Sequence, residues 1–181
     1  SAASLDPFES DSRINREIIP VIFEGLFSPS EDGRAKPVCS SGADMEKLSV
    51  RVSIVAGLKF SDGEAVTPED IKKSFELAAK SKYYSSLLSN ITGVEIEDGS
   101  VVFNLGHSDE AVLNVLSFPI VKKIKGGYIG TGRYALKKLD GVLYLEANKE
   151  HPEYSEDWNK QIALSDMSGV DTPIYPFKSN K

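Results

Sequence analysis

The amino-acid sequence predicts an α/β fold, a mixed sheet with helices packed on it, and three observations carry that expectation. The first is Val50–Ile54, where Val50, Val52 and Ile54 alternate with Arg51 and Ser53 in the two-residue period of a half-buried strand. The second is a helix start at Thr67. Pro68 follows at the first helical position and Asp70 stands where a capping box usually has Glu or Gln. Ile71, Phe75, Leu77 and Ala78 then recur close to the helical period. The third is a pair of Asp-Gly turns, Asp98-Gly99 and Asp140-Gly141, each set between two strand-like runs.

Taken in order, Leu5-Asp6-Pro7 opens as a turn. Ile14, Ile18, Ile19, Ile22 and Phe23 form a helical stripe, which Pro20 should kink or restart. Phe23–Phe27 leads into a turn cluster at Ser28–Gly33. Gly57 ends the first strand, and Ser61-Asp62-Gly63 is a tight turn before the Thr67 cap. Lys80–Leu88, with Tyr83, Tyr84, Leu87 and Leu88, reads as a helix packed on the lobe. Ile91–Ile96 and Val101–Leu105 make a hairpin, and Asp109–Leu116 an amphipathic helix with Val112, Leu113 and Leu116 on one side. Lys122–Lys125 reads as a solvated loop. Tyr134–Lys138, Val142–Ala147 and Gln161–Asp166 are further strands, and Gly169–Lys181 is a tail. The organisation expected is one lobe over residues 1–165, a smaller subdomain over about 35–125 within it, and a tail over 166–181.

Composition excludes several classes. The 181 residues carry a net charge of −6 with no basic stripe, which argues against a nucleic-acid partner. No apolar run is long enough to span a bilayer as a helix. The lone cysteine, Cys39, cannot close an internal disulfide; it reads as a buried, inert residue, with a reactive thiol as the alternative. His107 and His151 lie far apart, and no metal-binding string or nucleophile–base set is present, so the sequence calls for no cofactor and no catalytic site. Asp62, Glu64, Glu69 and Asp70 form an acidic cluster best explained by capping and solvation. Gly130-Thr131-Gly132 is a Gly-x-Gly loop, but strand-like residues follow it rather than a helix. Its glycines therefore serve backbone geometry and not a phosphate.

The string Leu58-Lys59-Phe60-Ser61-Asp62-Gly63, then Val66-Thr67-Pro68-Glu69-Asp70-Ile71 and Ser74-Phe75, resembles the signature of family 5 extracellular solute-binding proteins. These serve peptide and nickel ABC transporters. Leu5-Asp6-Pro7, Phe23-Glu24-Gly25-Leu26, Asp32-Gly33, Val101–Leu105, Phe118-Pro119-Ile120-Val121 and Ile129–Tyr134 are similar to further motifs of the family, so the resemblance runs from about Leu5 to about Leu164. It departs at Ala35–Lys47, where Pro37 fits but the family's Trp does not follow and the loop is remodelled or shortened. It departs again at Arg133, which stands where the family has Pro and implies a looser turn. The stretch from Leu145 through Tyr154 to Trp158 matches with stretched spacing.

The resemblance implies the N-terminal lobe of a type II periplasmic-binding-protein-like fold, with the second lobe absent from this chain. It implies that Glu24 and Leu26 lie near the ligand cleft, although by residue type alone Glu24 reads as a solvated or capping carboxylate and Leu26 as core. The function implied is the substrate-binding component of a bacterial ABC importer, for oligopeptides, working with a membrane permease. It would act on the outer face of the membrane or in the periplasm, lipid-anchored in the full-length protein. An exposed cleft face would favour self-association. The alternative is a one-lobe structural or protein-interaction domain that has lost transport; an enzyme is the weakest reading.

Overall fold

The computed structural model describes residues 5–9 and 13–164. The chain begins with α1 (Arg13–Ile22), which places Ile18 and Ile22 in the core. Pro20 neither ends nor restarts it: the proline is exposed in the last turn, and the Phe23 N–H donates to the Ile19 carbonyl at 2.8 Å. A short antiparallel pair follows, β1 (Phe27–Pro29) and β2 (Ala35–Pro37).

The central sheet has the order β3-β4-β6-β5, built from β3 (Ser40–Met45), β4 (Ser49–Ile54), β5 (Ile91–Glu97) and β6 (Ser100–Leu105). Its register sets Val50 opposite Phe103 and Val52 opposite Val101, and all four side chains are inaccessible to solvent. The two-residue alternation in β4 thus does what its pattern requires. At Asp98-Gly99 the φ angles are 48° and 78°, the left-handed pair that matches a hairpin turn to the twist of its strands.

Between β4 and β5 lies α2 (Pro68–Lys80), started by a complete capping box: the Asp70 N–H donates to Thr67 Oγ1, and the Thr67 N–H donates back to the Asp70 carboxylate. Phe75 meets Phe103 and Phe118 edge-on, with ring centroids 6.0 and 5.9 Å apart. Leu77 faces solvent, and Ser74 takes the inner position instead. There its hydroxyl donates to the Asp70 carbonyl at 2.7 Å and accepts from the Val121 N–H at 2.9 Å.

The remaining strands form two smaller sheets. β7 (Lys122–Ile124) and β8 (Gly127–Ile129) make a hairpin, and β9 (Tyr134–Leu139), β10 (Val142–Ala147) and β11 (Gln161–Ala163) make a sheet of order β11-β10-β9. All ladder pairs among the described residues are antiparallel. No helix among them is long and apolar enough to cross a membrane.

Four local expectations are corrected. Past Lys80, the last residue of α2, the expected helix to Leu88 is a run of turns, because Ser81 stops α2: its hydroxyl donates to the Ala78 carbonyl at 2.7 Å and accepts the Tyr84 N–H at 3.1 Å. Asp109–Leu116 contributes only a short 3-10 turn, Val112–Val115, with no side-chain cap, although Val112 and Leu116 are buried as the pattern requires. Lys122–Lys125 is the first strand of a hairpin and its bend, and Lys122 reaches Asp62 at 2.6 Å and Glu64 at 2.5 Å. Ala35–Lys47 holds β2 and β3 without the missing Trp. Asp166 and the tail Gly169–Lys181 lie outside the described residues.

Candidate functional site

The end of α1 runs into Glu24–Phe27, a segment held by hydrogen bonds on both sides. Its carbonyls accept from Ile120 (to Glu24, 3.0 Å), Cys39 (to Gly25, 3.2 Å), and Val38 and Ser40 (to Leu26, 3.0 and 3.2 Å). The Phe27 N–H donates to the Leu116 carbonyl at 3.0 Å. These bonds hold the main chain of the segment in place and so fix where its side chains stand.

Against this segment lies the Gly130–Arg133 turn. The Gly132 N–H donates to the Ile22 carbonyl at 2.9 Å. A Cβ on Gly132 would fall 2.2 Å from the Val21 carbonyl oxygen, and one on Gly130 would fall 2.5 Å from that of Ile22. The Gly-x-Gly motif therefore exists for close backbone approach, with no phosphate involved. Arg133 does not loosen the turn. The buried Asn148 clamps it, donating its N–H to the Arg133 carbonyl and its amide Nδ2 to the Gly132 carbonyl, each at 2.8 Å.

Asn148 also starts the turn that carries His151, whose N–H donates to the Asn148 carbonyl at 3.1 Å. The ring nitrogens of His151 have distinct partners. Nδ1 accepts the Glu153 N–H at 3.1 Å, so the ring proton sits on Nε2, which donates to Glu24 Oε1 at 2.8 Å. The pair is secluded: the His151 side chain is 6% exposed and that of Glu24 17%.

Trp158 packs behind His151 at 5.7 Å, stacks on Tyr134 at 6.0 Å, and has the Arg133 guanidinium 5.2 Å from its ring centre. Arg133 in turn pairs with Glu153. Glu24, Arg133, His151 and Glu153 line an open depression of about 570 Å³, with Phe23, Val38 and Tyr84 supplying apolar walls. Burial, reinforced by the neighbouring Tyr83, pushes the Tyr84 hydroxyl up to about 12.

Glu24 thus lines the depression, while Leu26 is fully buried beneath it. Cys39 is likewise inaccessible, with Sγ 3.3 Å from Thr131 Oγ1. Burial pushes its thiol up to about 12; the Thr131 contact works against this and the Glu24 charge adds to it. The acidic cluster disperses, with Asp62 and Glu64 held by Lys122 and Asp70 spent on the capping box. Among the described residues no group of three or more His, Cys, Asp or Glu side chains could hold a metal ion. The sequence did not single out His151, Arg133 or Trp158 as site residues. Glu24 and His151 are 127 positions apart, beyond any spacing rule, and the one available signal was the stretched spacing between Leu145 and Trp158.

Residues 41–169 match the family model for bacterial extracellular solute-binding proteins, family 5, middle part. The glutathione-binding protein GsiB of Salmonella choleraesuis is 24% identical over 165 residues, a match covering 81% of this chain and 32% of that protein. This chain therefore spans about a third of that relative's length. Among solved structures, NikZ from Campylobacter jejuni in complex with Ni(L-His) superposes with a TM-score of 0.72 at 22% identity, covering 90% of this chain and 36% of that one. The Escherichia coli murein tripeptide binding protein MppA gives 0.74 at 20% identity, covering 89% and 39%. The fold is that of the type II periplasmic-binding-protein-like proteins.

Proposed function

The chain belongs to family 5 of the bacterial extracellular solute-binding proteins, and from that premise we propose that it forms one wall of an oligopeptide-binding cleft serving a bacterial ABC importer. The observation that carries this reading is the depression at the end of α1, an apolar-walled hollow with oriented charges, Glu24 and Arg133, at its side. Ligand sites combine apolar walls with a few fixed polar groups in this way. The relatives point in the same direction: one is named for glutathione, itself a tripeptide, and another for a murein tripeptide.

In this reading Glu24 approaches the ligand directly. Leu26 acts from below, holding the segment that carries Glu24. The chain works on the outer face of the membrane or in the periplasm, lipid-anchored in the full-length protein, and delivers to a permease. Residues 35–125 serve as a smaller subdomain that contributes Val38 and Tyr84 to this wall. The second reading, a one-lobe interaction domain that self-associates, is favoured by Tyr83 and Leu87, whose apolar surface is exposed beside the depression-lining Tyr84.

Native mass spectrometry of the purified chain, set against denaturing mass spectrometry, separates the two. A series of peptide masses bound to a monomer and lost on denaturation is the result expected. A peptide-free, discrete dimer would instead support the interaction domain.

A further inference from the structure

We infer that Arg133 is a carboxylate-recognition residue on the wall of the depression, selecting ligands that present a free carboxylate; this rests on the proposed ligand role of that wall. The guanidinium is oriented before any ligand arrives. It lies 5.2 Å from the centre of the Trp158 ring, whose own position is set by Tyr134, His151 and Tyr154. Its backbone is fixed by the hydrogen bond from Asn148 to the Arg133 carbonyl. An arginine held over an aromatic ring presents a planar fork of donors, the geometry that suits a carboxylate.

The fork already holds a carboxylate that can be displaced. Nη2 donates to Glu153 Oε2, and among the described residues that is the guanidinium's one hydrogen-bond acceptor. The Glu153 side chain is 65% exposed, so it can rotate into water at little cost when a ligand carboxylate arrives. Glu153 thus occupies the place of the ligand group. The other charged pair of the wall cannot do this work: Glu24 repels a carboxylate, and His151 spends its Nε2 proton on Glu24 while Nδ1 accepts the Glu153 N–H. Lys36, also on the lining, adds a second positive charge without a fixed geometry.

Amide NMR titrations of the 181-residue chain with triglycine, triglycinamide and glutarate test this, because they detect binding up to millimolar dissociation constants. Triglycine should bind ~10- to 100-fold more tightly than triglycinamide, the range for a hydrogen bond to a charged group. Arg133→Ala should abolish that preference while leaving triglycinamide unchanged, Arg133→Lys should restore part of it, and Glu153→Gln should tighten triglycine binding. A purely structural Arg133 would move none of these ratios. Equal binding of acid and amide, or an equal loss for both in Arg133→Ala, would overturn the inference and leave the peptide reading standing. Arg133-dependent binding of glutarate without either tripeptide would uphold the inference and remove the peptide reading. Binding of none of the three probes would overturn both.

Discussion

Replacing His151 with alanine removes the side chain that, among the described residues, joins Glu24 to the turn carrying Trp158. Two hydrogen bonds go with it: the Nε2 donation to Glu24 at 2.8 Å and the acceptance of the Glu153 N–H at 3.1 Å. The first involves a carboxylate and is worth about 1.5–3 kcal/mol, the second about 1 kcal/mol. The imidazole is also packed on Trp158, with the side chain only 6% exposed, so a cavity adds to the cost. The sum is about 3–5 kcal/mol, which for a chain of this size lowers the thermal midpoint on the order of 10 °C. Circular dichroism melts would measure it. The conservative variants separate the two bonds. His151→Gln places an amide donor near Glu24, whereas His151→Asn places an acceptor near the Glu153 N–H, so the glutamine variant should recover the larger share. An alanine variant melting within about 2 °C of the parent, less than the Glu24 bond alone should cost, would refute the claim that this contact ties the wall together.

Further outcomes follow from the same contacts. Cys39, with its thiol pushed up to about 12 and no solvent contact, should resist a disulfide reagent at pH 7 until the chain unfolds; stoichiometric labelling of the native protein within minutes would contradict its placement. Gly132→Ala puts a Cβ 2.2 Å from the Val21 carbonyl oxygen, so the variant should lose ~3 kcal/mol or more, read as a fall in thermal midpoint or in soluble yield. Burial alone would raise the Asp62 carboxyl, but the Lys122 ammonium and the Glu64 N–H outweigh it and hold the carboxyl below its ordinary 3.8. That stabilisation is present above pH 3.8 and lost as the pH falls through the lower folded value. Hydrogen bonds that it donates to Asp62 and Glu64 raise the Lys122 ammonium above its ordinary 10.5, so its share is present below pH 10.5 and lost as the pH rises through the folded value. Lys122→Met should therefore cost midpoint at pH 7 and progressively less in strong acid, measured as a pH series of melts.

Local code made much of the fold legible. The capping box at Thr67, the alternation through Val50–Ile54 and the two Asp-Gly turns each depend on residues within about one turn or one hairpin of each other, and all four appear as read. The elements that were misread depend on partners elsewhere. β3 is Ser-Ser-Gly-Ala-Asp-Met, with no alternation to announce it, and it is a strand because β4 supplies its ladder. Lys122 reads from sequence as part of a lysine-rich loop, yet its charge is matched by Asp62 and Glu64 some sixty positions earlier. The site divides in the same way. Glu24 was reachable through the Phe-Glu-Gly-Leu motif, while His151, Arg133 and Trp158 gain their meaning from packing among segments that only the folded chain brings together.

Under the proposed ligand role of the wall, the way it is held would let one fold serve different ligands. The main-chain groups of Glu24–Phe27 that hydrogen-bond are taken up by neighbouring segments, and the buried Asn148 spends its side-chain donor on the Gly132 carbonyl and its acceptor on the Glu150 N–H. Changing these residues unmakes the wall and not just its selectivity, because each replacement strands a buried polar partner. Charged groups that can change without that penalty include the exposed ones on the rim, Glu153 and Lys36. In the proposed ligand wall, selectivity would therefore shift at the rim while the inner tier, Glu24–His151–Asn148 with its glycine contacts, stays as it is. This division sets an order for mutagenesis. Substitutions at Glu153 and Lys36 should alter ligand preference at constant thermal midpoint, and substitutions at Asn148 and His151 should alter the midpoint first.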